Sequence, residues 1–261
     1  MCLAVIGLNA HSRYALVIAA NRDESHARPA RPAAWWDEGW LAGRDLRGGG
    51  TWLGVDRRGR WAFLTNVREP GLKDAAAPTR GALVTEVLSD PAPPVDSLAR
   101  RKTDMTCYNG FNLLAGMVGE GWWLSNRAGG PHVLQQGVHA VSNATLDTPW
   151  PKVVRTRHAF AQWCAAGDDD FDSLFAALAM KAEAPDADLP QTGVTLEWER
   201  RLSAPFIVSA EYGTRCSTVV AIGHDGQAIF QERSFDPLGA PAGSVEHQFT
   251  LVDAGTHATA R

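Results

Sequence analysis

The sequence predicts an α+β fold built largely from antiparallel sheets. Apolar, β-branched or aromatic runs pair across short turns containing Gly or Asn, and helical segments lie between these pairs. The length of 261 residues and the hydrophobic content of 45% suffice for a substantial core. We expect one domain over residues 1–261, with residues 252–261 as a frayed tail.

Four hairpins are expected from the strand and turn signals. Each joins two strand-like runs through a turn of a few residues. The predicted strand pairs are residues 2–8 with 14–20, 51–56 with 61–67, 112–118 with 122–127, and 217–222 with 227–233.

Three helices are predicted between the hairpins. The first, "TRGALVTEVLSD", has Thr79 as an N-cap before its apolar positions. The second covers residues 149–167 and should stop at Gly167, and the third covers residues 171–182. Residues 181–193 are rich in Pro, Ala and charged side chains and predict a surface loop.

Charge and cysteine usage exclude several functions. A net charge of −4 and a pI of about 6.1 give no electrostatic basis for binding nucleic acid or an anionic membrane. No apolar run reaches the roughly 18–20 residues of a membrane span, and no signal-peptide pattern is visible, so no integral membrane segment is expected. The four cysteines are widely spaced, which favours a reducing, cytoplasmic location over a disulfide scaffold or metal site.

The first hairpin brings a thiol close to a polar cluster. If Leu8 pairs with Tyr14, Cys2 at the start of the first strand faces the end of the second. The tetrad "NRDE" then lies just beyond the ladder. Because strand residues alternate in facing, we expect Asn21 and Asp23 on one face, with Arg22 and Glu24 on the other.

These residues suit a nucleophile that is activated by its own amine. Removal of Met1 would leave Cys2 at the N-terminus with a free α-amino group, which can act as general base for the thiol. Arg22 would favour the thiolate by its charge, and Asp23 would hold the ammonium. The residues alone also allow a structural interpretation, in which Cys2 is a small buried hydrophobe and the tetrad a solvated loop.

Ten segments in order along nearly the whole chain resemble the NRDE family, the family of transport and Golgi organisation protein 2. They are "MCLAVIGL", "ANRDES", "AGRDLRGGGTWLGV", "LTNVRE", "RGALV", "YNGFNLLAG", "LSNR", "VHAVSNATLDTPWPKV", "YGTRCSTV" and "QERSF". The resemblance implies a four-layer αββα sandwich of the N-terminal-nucleophile hydrolase type, with two antiparallel sheets. In outline the chain is also similar to the cysteine branch of those hydrolases, the bile-salt hydrolases and penicillin V acylases.

That resemblance implies roles for five residues. Cys2 matches the nucleophile and Asp23 the carboxylate that holds its amine, while Asn66 and Asn143 match the two Asn of the oxyanion hole. Arg215 lies roughly where those enzymes carry a late Arg. The arginine that precedes their Asp falls on Ala20, so that Arg22 would have to replace it. Asn21 overlays the family's Asn and is expected at the ligand.

Three functions stay open at this point. The first is a cysteine hydrolase-like protein acting on a C–N (amide) bond of a small or amphipathic ligand, without a required cofactor. The second is a non-catalytic protein that binds and traffics haem or an acyl-CoA-like lipid in the same pocket; Arg22, Arg44 and Arg68 suit an anionic, amphipathic ligand. His26 is the first candidate for a haem contact. The third is an interaction domain that keeps only the fold.

Overall fold

A computed structural model describes residues 3–252, without the side chains of residues 102–104. The strands are β1 (Leu3–Leu8), β2 (Tyr14–Ser25), β3 (Ala30–Trp35), β4 (Trp40–Asp45), β5 (Leu53–Asp56), β6 (Trp61–Asn66), β7 (Phe111–Met117), β8 (Glu120–Ser125), β9 (Gly129–Val133), β10 (Gly137–Val141), β11 (Tyr212–Gly223), β12 (Gln227–Phe235) and β13 (Pro241–Thr250). The helices are α1 (Gly81–Ser89), α2 (Pro94–Arg101), α3 (Pro151–Ala166), α4 (Asp172–Leu178) and α5 (Leu196–Leu202), with 3₁₀ turns at Lys102–Cys107 and Asp186–Asp188.

The strands form two antiparallel sheets. The first sheet has six strands in the order β10-β1-β2-β11-β12-β13, so that both ends of the chain contribute to it. The second sheet has seven strands in sequence order from β3 to β9. All four predicted hairpins are present as antiparallel pairs.

Three apolar clusters place these elements in four layers. The central cluster joins the inner faces of both sheets, for example Ile18 of the first sheet and Phe63 of the second. A second cluster packs α3 and α4 on the first sheet, through side chains such as Phe160 and Leu174. The third packs α1 and α2 on the second sheet. The predicted αββα sandwich is therefore confirmed.

The helix predictions were correct in position but not in every detail. Helix α3 ends as expected at Gly167, which adopts a left-handed conformation with φ of 65°. The expected N-cap of α1 at Thr79 is wrong, because the cap is Arg80 and no side chain caps the helix. Strands β3, β4, β9, β10 and β13 and helices α2 and α5 were not anticipated.

Two further expectations concern membrane-spanning helices and the C-terminal tail. Within residues 3–252, none of the helices has the length and apolarity to cross a membrane. The expected frayed tail falls almost wholly on residues 253–261, which lie outside the described residues. Cys107, Cys164 and Cys216 are free thiols.

Candidate functional site

The polar tetrad lies inside a central strand rather than in a loop. Strand β2 continues to Ser25, and β11 pairs with it along the tetrad, with Ser217 opposite Asn21 and Thr214 opposite Asp23. In the described ladder of the first hairpin Asn21 is paired with Leu3, so the expectation that the tetrad lies beyond that ladder is wrong for Asn21, and the alternative of a solvated loop is wrong for the buried Asn21, Arg22 and Asp23. Asn21, Arg22 and Asp23 are buried, and each contacts a polar or aromatic partner.

The register of the first hairpin differs from the expected one by two residues. Leu8 pairs with Leu16, not with Tyr14, and Leu3 pairs with Asn21. The turn lies one residue further along the chain than expected, since the Asn9 N–H donates to the Ala15 carbonyl at 2.9 Å. A shift of two residues leaves every side chain on its predicted face. Cys2, the predicted nucleophile, lies outside the described residues.

Asn21 and Asp23 share the face of β2 that lies toward the helices. Asn21 Nδ2 donates to the carbonyls of Leu178 and Pro205 at 2.9 and 2.8 Å, and Asn21 Oδ1 accepts from the Ser217 hydroxyl. Asp23 Oδ1 accepts from the Thr214 hydroxyl at 2.6 Å. Asn21 is thus engaged in holding the backbone, while Asp23 has an ordered carboxylate.

Arg22 points the other way, into the space between the sheets. Its guanidinium carbon lies 4.4 Å from the centre of the Trp52 ring, a cation–π contact with the second sheet. The side chain is buried, and Arg22 Nη1 has no hydrogen-bond partner among the described residues. The predicted division of the tetrad into two faces is confirmed for Asn21, Arg22 and Asp23.

Two buried acids of the first sheet lie near Arg22. Cys216 is its partner in the ladder, and burial raises the pKa of that thiol well above its ordinary value. Burial also raises the pKa of Glu232, against the opposing effects of hydrogen bonds and the charge of Arg22. Glu232 Oε1 accepts from the Ala33 N–H at 2.9 Å and so links the two sheets.

The two predicted oxyanion residues are in direct contact. Asn66 ends β6 of the second sheet, and Asn143 follows β10 of the first. Asn143 Nδ2 donates to the Asn66 carbonyl at 2.9 Å, and the Arg68 N–H donates to the Asn143 carbonyl at 2.8 Å. Two residues that are far apart in the sequence thus meet where one strand of each sheet ends.

A cavity of about 540 Å³ opens at this end of the sandwich. Arg22 and Asp23 of the first sheet and Asn66 of the second contribute to its wall. The remaining wall comes from the turn after β2, the loop after β4, the segment before β5, the loop after β6 and the start of α1. Asn143 does not line the cavity itself but is bonded to the backbone of Asn66, which does.

The wall of the cavity is strongly polar. Arg28 donates to Asp45 through Nε and Nη2 at 2.8 and 2.6 Å, so these charges neutralise each other. Burial alone would raise the pKa of Asp45, but the bonds from Arg28 and from two backbone N–H groups hold it below its usual value. Arg47, Lys73 and Arg80 bring three further cations, of which Arg47 and Lys73 are exposed. Trp52 and Leu64 supply apolar surface.

A second cavity of about 340 Å³ shares Asn66 with the first. Arg68 lines it and is held by a largely buried ion pair, in which Arg68 Nη1 lies 2.8 Å from Glu199 Oε2. Glu199 also accepts from the backbone and hydroxyl of Thr192. The predicted ligand-binding role of Arg68 therefore concerns this side of Asn66.

Arg44 and Arg215 lie away from both cavities. Arg44 stacks on Trp36, with its guanidinium carbon 3.8 Å from the ring centre. Arg215 sits in a bulge of β11 and donates to carbonyls of residues 25, 26 and 28. Burial, and then the like charge of Arg22, lower the pKa of Arg215. Arg215 thus holds the turn that follows the tetrad.

His26 also belongs to that turn, outside the cavity wall. Its Nε2 lies 3.0 Å from the Ser209 carbonyl. No group of His, Cys, Asp and Glu within the described part of the chain is arranged to hold a metal ion.

No pattern in the sequence indicated a role for Lys152, which is 1% exposed in the first turn of α3. Its Nζ lies 3.5 Å from Asn143 Oδ1. Glu232 and Thr214 were missed as well. Glu232 could have been predicted as a buried acid, because it is a charged side chain within the strand-like run "QAIFQERSF".

Solved structures with a similar outline are distant in sequence. An N-acylethanolamine-hydrolyzing acid amidase ortholog of Caenorhabditis elegans has a TM-score of 0.44 and 10% identity, covering 84% of this chain and 92% of that one. A mutant conjugated bile acid hydrolase of Clostridium perfringens has a TM-score of 0.49 and 8% identity, covering 99% and 100%.

Sequence relatives are much closer. The chain is 34% identical over 260 residues to the Transport and Golgi organization protein 2 homolog of Bos taurus, covering 91% of this chain and 93% of that protein. The Homo sapiens homolog is 33% identical over 240 residues, covering 85% and 87%. The family model for Transport and Golgi organisation 2 matches residues 1–237. Resemblance and comparison agree along most of the chain, which belongs to the Transport and Golgi organisation 2 family.

Proposed function

We propose that this chain is an N-terminal-nucleophile cysteine hydrolase that cleaves the C–N bond of an amide in a small or amphipathic ligand with an anionic group. One observation carries the proposal: Asp23 and Asn66, from different sheets, line one cavity, with Asn143 bonded to Asn66. The peptide bond ties Cys2 to Leu3, and Leu3 pairs with Asn21 of the same tetrad.

The reaction would begin with loss of Met1. The free amine of Cys2 takes the thiol proton while the sulfur attacks the amide carbonyl carbon. The carbonyl electron pair moves to oxygen, and the side chains of Asn66 and Asn143 donate to that oxyanion. When the C–N bond breaks, the Cys2 ammonium gives its proton to the leaving nitrogen. Water then cleaves the thioester, releasing a carboxylic acid and the thiol.

Asp23 would hold the ammonium form of the Cys2 amine. Its carboxylate is kept in place by the Thr214 hydroxyl, which in turn accepts from the Ile207 N–H at 2.9 Å. A carboxylate fixed through one oxygen can accept from an ammonium without first reorganising.

The charges of the cavity favour an anionic ligand. Arg28 is neutralised by Asp45, whereas the buried Arg22 has a donor atom without a partner among the described residues. Leaving a buried cation unsatisfied is costly, and a carboxylate or phosphate of the ligand would remove that cost. Trp52 beneath Arg22 offers an apolar surface for the rest of the ligand.

The same Arg22–Trp52 contact would also serve binding without reaction. The second candidate is therefore a carrier of haem or of an acyl-CoA-like lipid in this cavity. A haem contact from His26 and a cytoplasmic location are further proposals, the latter supported by the free thiols. For the hydrolase no cofactor is proposed.

The deciding experiment combines intact-mass analysis with trapping of the acyl-enzyme. The purified native chain should lack Met1 and, when given p-nitrophenyl esters or anilides of dicarboxylic acids, should carry the acyl group on Cys2. Cys2→Ala should abolish the adduct. Asn66→Ala should slow its formation about 10²–10³-fold, as is typical for loss of one oxyanion donor.

Two results would exclude the hydrolase. One is a native chain that still carries Met1, since the Cys2 amine is then a peptide nitrogen. The other is a chain that lacks Met1 but forms no adduct with any of these probes. A haem titration followed by absorbance, with His26→Ala as the comparison, tests the carrier; an unchanged Soret band at micromolar haem would count against it.

A further inference from the structure

Lys152 is a buried cation that the proposed mechanism does not use. It is the second residue of α3, follows Pro151, and has only 1% of its surface exposed. Both features make this a costly position for a cation, since burial removes hydration and the start of a helix carries positive partial charge. A lysine held at such a position calls for an explanation beyond packing.

One contact of Lys152 is with the oxygen end of a carboxamide. Its Nζ lies 3.5 Å from Asn143 Oδ1, and the Ser142 hydroxyl donates to the same oxygen at 3.3 Å. The other end of that amide, Nδ2, donates to the Asn66 carbonyl at 2.9 Å. An ammonium has donors only and a carbonyl oxygen accepts only, so the two neighbours allow one orientation of the amide.

We propose that Lys152 is a positioning residue for the oxyanion hole, acting through Asn143; this rests on the proposed hydrolase function. Lys152 holds Oδ1 from the helix layer, so that the two N–H groups of Asn143 face Asn66 and the end of β6. One of them fixes Asn66, and the other is directed to the reacting carbonyl. The chain Lys152–Asn143–Asn66 thereby joins α3, the first sheet and the second sheet.

The charge of Lys152 adds a second effect. An ammonium beside Oδ1 withdraws electron density from the amide, which makes its N–H groups better donors to a developing oxyanion. A neutral hydroxyl such as that of Ser142 has neither the charge nor a fixed donor direction. Lys152 is therefore the group that distinguishes Asn143 from an ordinary buried asparagine.

Two probes of Cys2 separate this role from a structural one. Acylation by a p-nitrophenyl ester passes through a tetrahedral oxyanion, whereas alkylation by iodoacetamide does not. Lys152→Met, which keeps the length and removes the charge, should slow acylation about 10²-fold, the loss typical of misplaced catalytic groups. Alkylation should change by less than about threefold, because it depends on the thiolate alone.

A double-mutant cycle tests whether Lys152 acts through Asn143. If it does, Lys152→Met should add little to the loss caused by Asn143→Ala. Lys152→Gln retains a donor and should recover part of the acylation rate. Lys181→Met, a lysine of the surface loop, is the control and should match the unmodified chain.

The outcomes are distinguishable from failure of the proposed function. Absence of acylation in the unmodified chain would overturn the hydrolase itself, and this inference with it. If the unmodified chain is acylated and Lys152→Met is acylated equally fast, only the role of Lys152 is overturned. Equal slowing of acylation and alkylation, or a lower thermal midpoint that Asn143→Ala does not share, would mean that Lys152 supports the fold rather than the oxyanion hole.

Discussion

At the scale of single residues, the partly buried His139 has a defined partner at each ring nitrogen. Its Nδ1 lies 2.7 Å from Asp147 Oδ2, and its Nε2 lies 3.0 Å from the Gln135 carbonyl. Both ring nitrogens thus face acceptors, an arrangement that suits the doubly protonated ring. Asp147 in turn accepts from the Ala140 N–H and lies 3.3 Å from Arg157.

This geometry predicts a pH-dependent contribution to stability. The hydrogen bond to Asp147, opposed by burial, raises the pKa of His139 above its ordinary value of 6.5. A raised pKa in the folded state means that the stabilisation is complete below pH of about 6.5 and is lost as pH rises through the folded-state pKa. The thermal midpoint of the unmodified chain should therefore exceed that of His139→Gln by more at pH 6 than at pH 8.5.

The pKa of the neighbouring Asp147 sets the lowest pH at which the two chains can be compared. Although burial alone would raise it, the pKa of Asp147 is lowered by the hydrogen bond from His139. Its own stabilising effect is lost as pH falls toward that lowered value, so the measurement belongs above pH of about 5. A difference between the two chains that is the same at pH 6 and pH 8.5 would contradict the assignment.

At the scale of elements, the segment "RGGGTW" is explained by close packing of backbone on backbone. A Cβ on Gly50 would lie 2.4 Å from the carbonyl carbon and 2.5 Å from the carbonyl oxygen of Gly81, where α1 begins. Gly49 adopts a positive φ of 74°. The triple glycine thus lets the loop after β4 lie directly against the start of α1, beside the cavity.

Gly50→Ala should destabilise the fold by forcing these two backbones apart. Overpacking of this kind costs about 1–3 kcal/mol, and each kcal/mol lowers the midpoint of a chain this large by about 2–4 °C. Gly243→Ala is the matched control, since nothing lies within 4 Å of a Cβ at that position and its φ is not positive. Calorimetry of both variants checks the prediction. Equal thermal midpoints would contradict it, since they would mean that the loop moves to admit the methyl group without a loss of stability.

The elements that the sequence revealed are those with strong local patterns. The four hairpins combine apolar runs with turn residues, and α3 ends at a glycine. Strand β3 was not predicted, because it contains Arg31 and Pro32. Proline is tolerated mainly in edge strands, and β3 lies at the edge of its sheet. Strand β13 is another edge strand, and its mostly exposed side chains leave no apolar alternation to detect.

The site was predictable only in part, for the same reason. Hairpin pairing placed the tetrad near the start of β1, but the turn lies one residue further along the chain than expected, which shifts the register by two residues. The pairing of β11 with β2 decides that the tetrad is buried, and that pairing joins residues about 190 positions apart, beyond any local pattern. The contact of Asn143 with Asn66 was implied by family resemblance, whereas Lys152 had no signal at all.

At the scale of the whole molecule, a polar contact joins the two sheets near their edges. The Ala33 N–H of β3 donates to Glu232 of β12, and His247 of β13 lies 3.3 Å from the Ala33 carbonyl. Trp35 and Phe249 pack edge to face beside them, with ring centres 5.0 Å apart. The edge strand β3 therefore depends on the first sheet as well as on its neighbour β4.

Glu232→Ala should weaken that junction. It leaves the buried Ala33 N–H without its acceptor, which costs about 1–3 kcal/mol. Glu232→Gln keeps an acceptor oxygen and removes the buried charge, so it should retain most of the stability at neutral pH. Chemical denaturation of the three chains measures the difference. A Gln variant as unstable as the Ala variant would show that the charge, rather than the hydrogen bond to β3, matters.

The strand order of the two sheets has a consequence for how the chain acquires its site. The second sheet joins only consecutive strands, and all of its connections are short except residues 67–110 between β6 and β7, so it can form while the remainder is still being synthesised. The first sheet must wait for β11, which brings the partners of Asn21 and Asp23 from far along the chain. A nascent or truncated chain that ends before residue 212 would therefore hold a folded half and an unfinished cavity, so Asn21 and Asp23 would gain their partners only when translation is nearly complete.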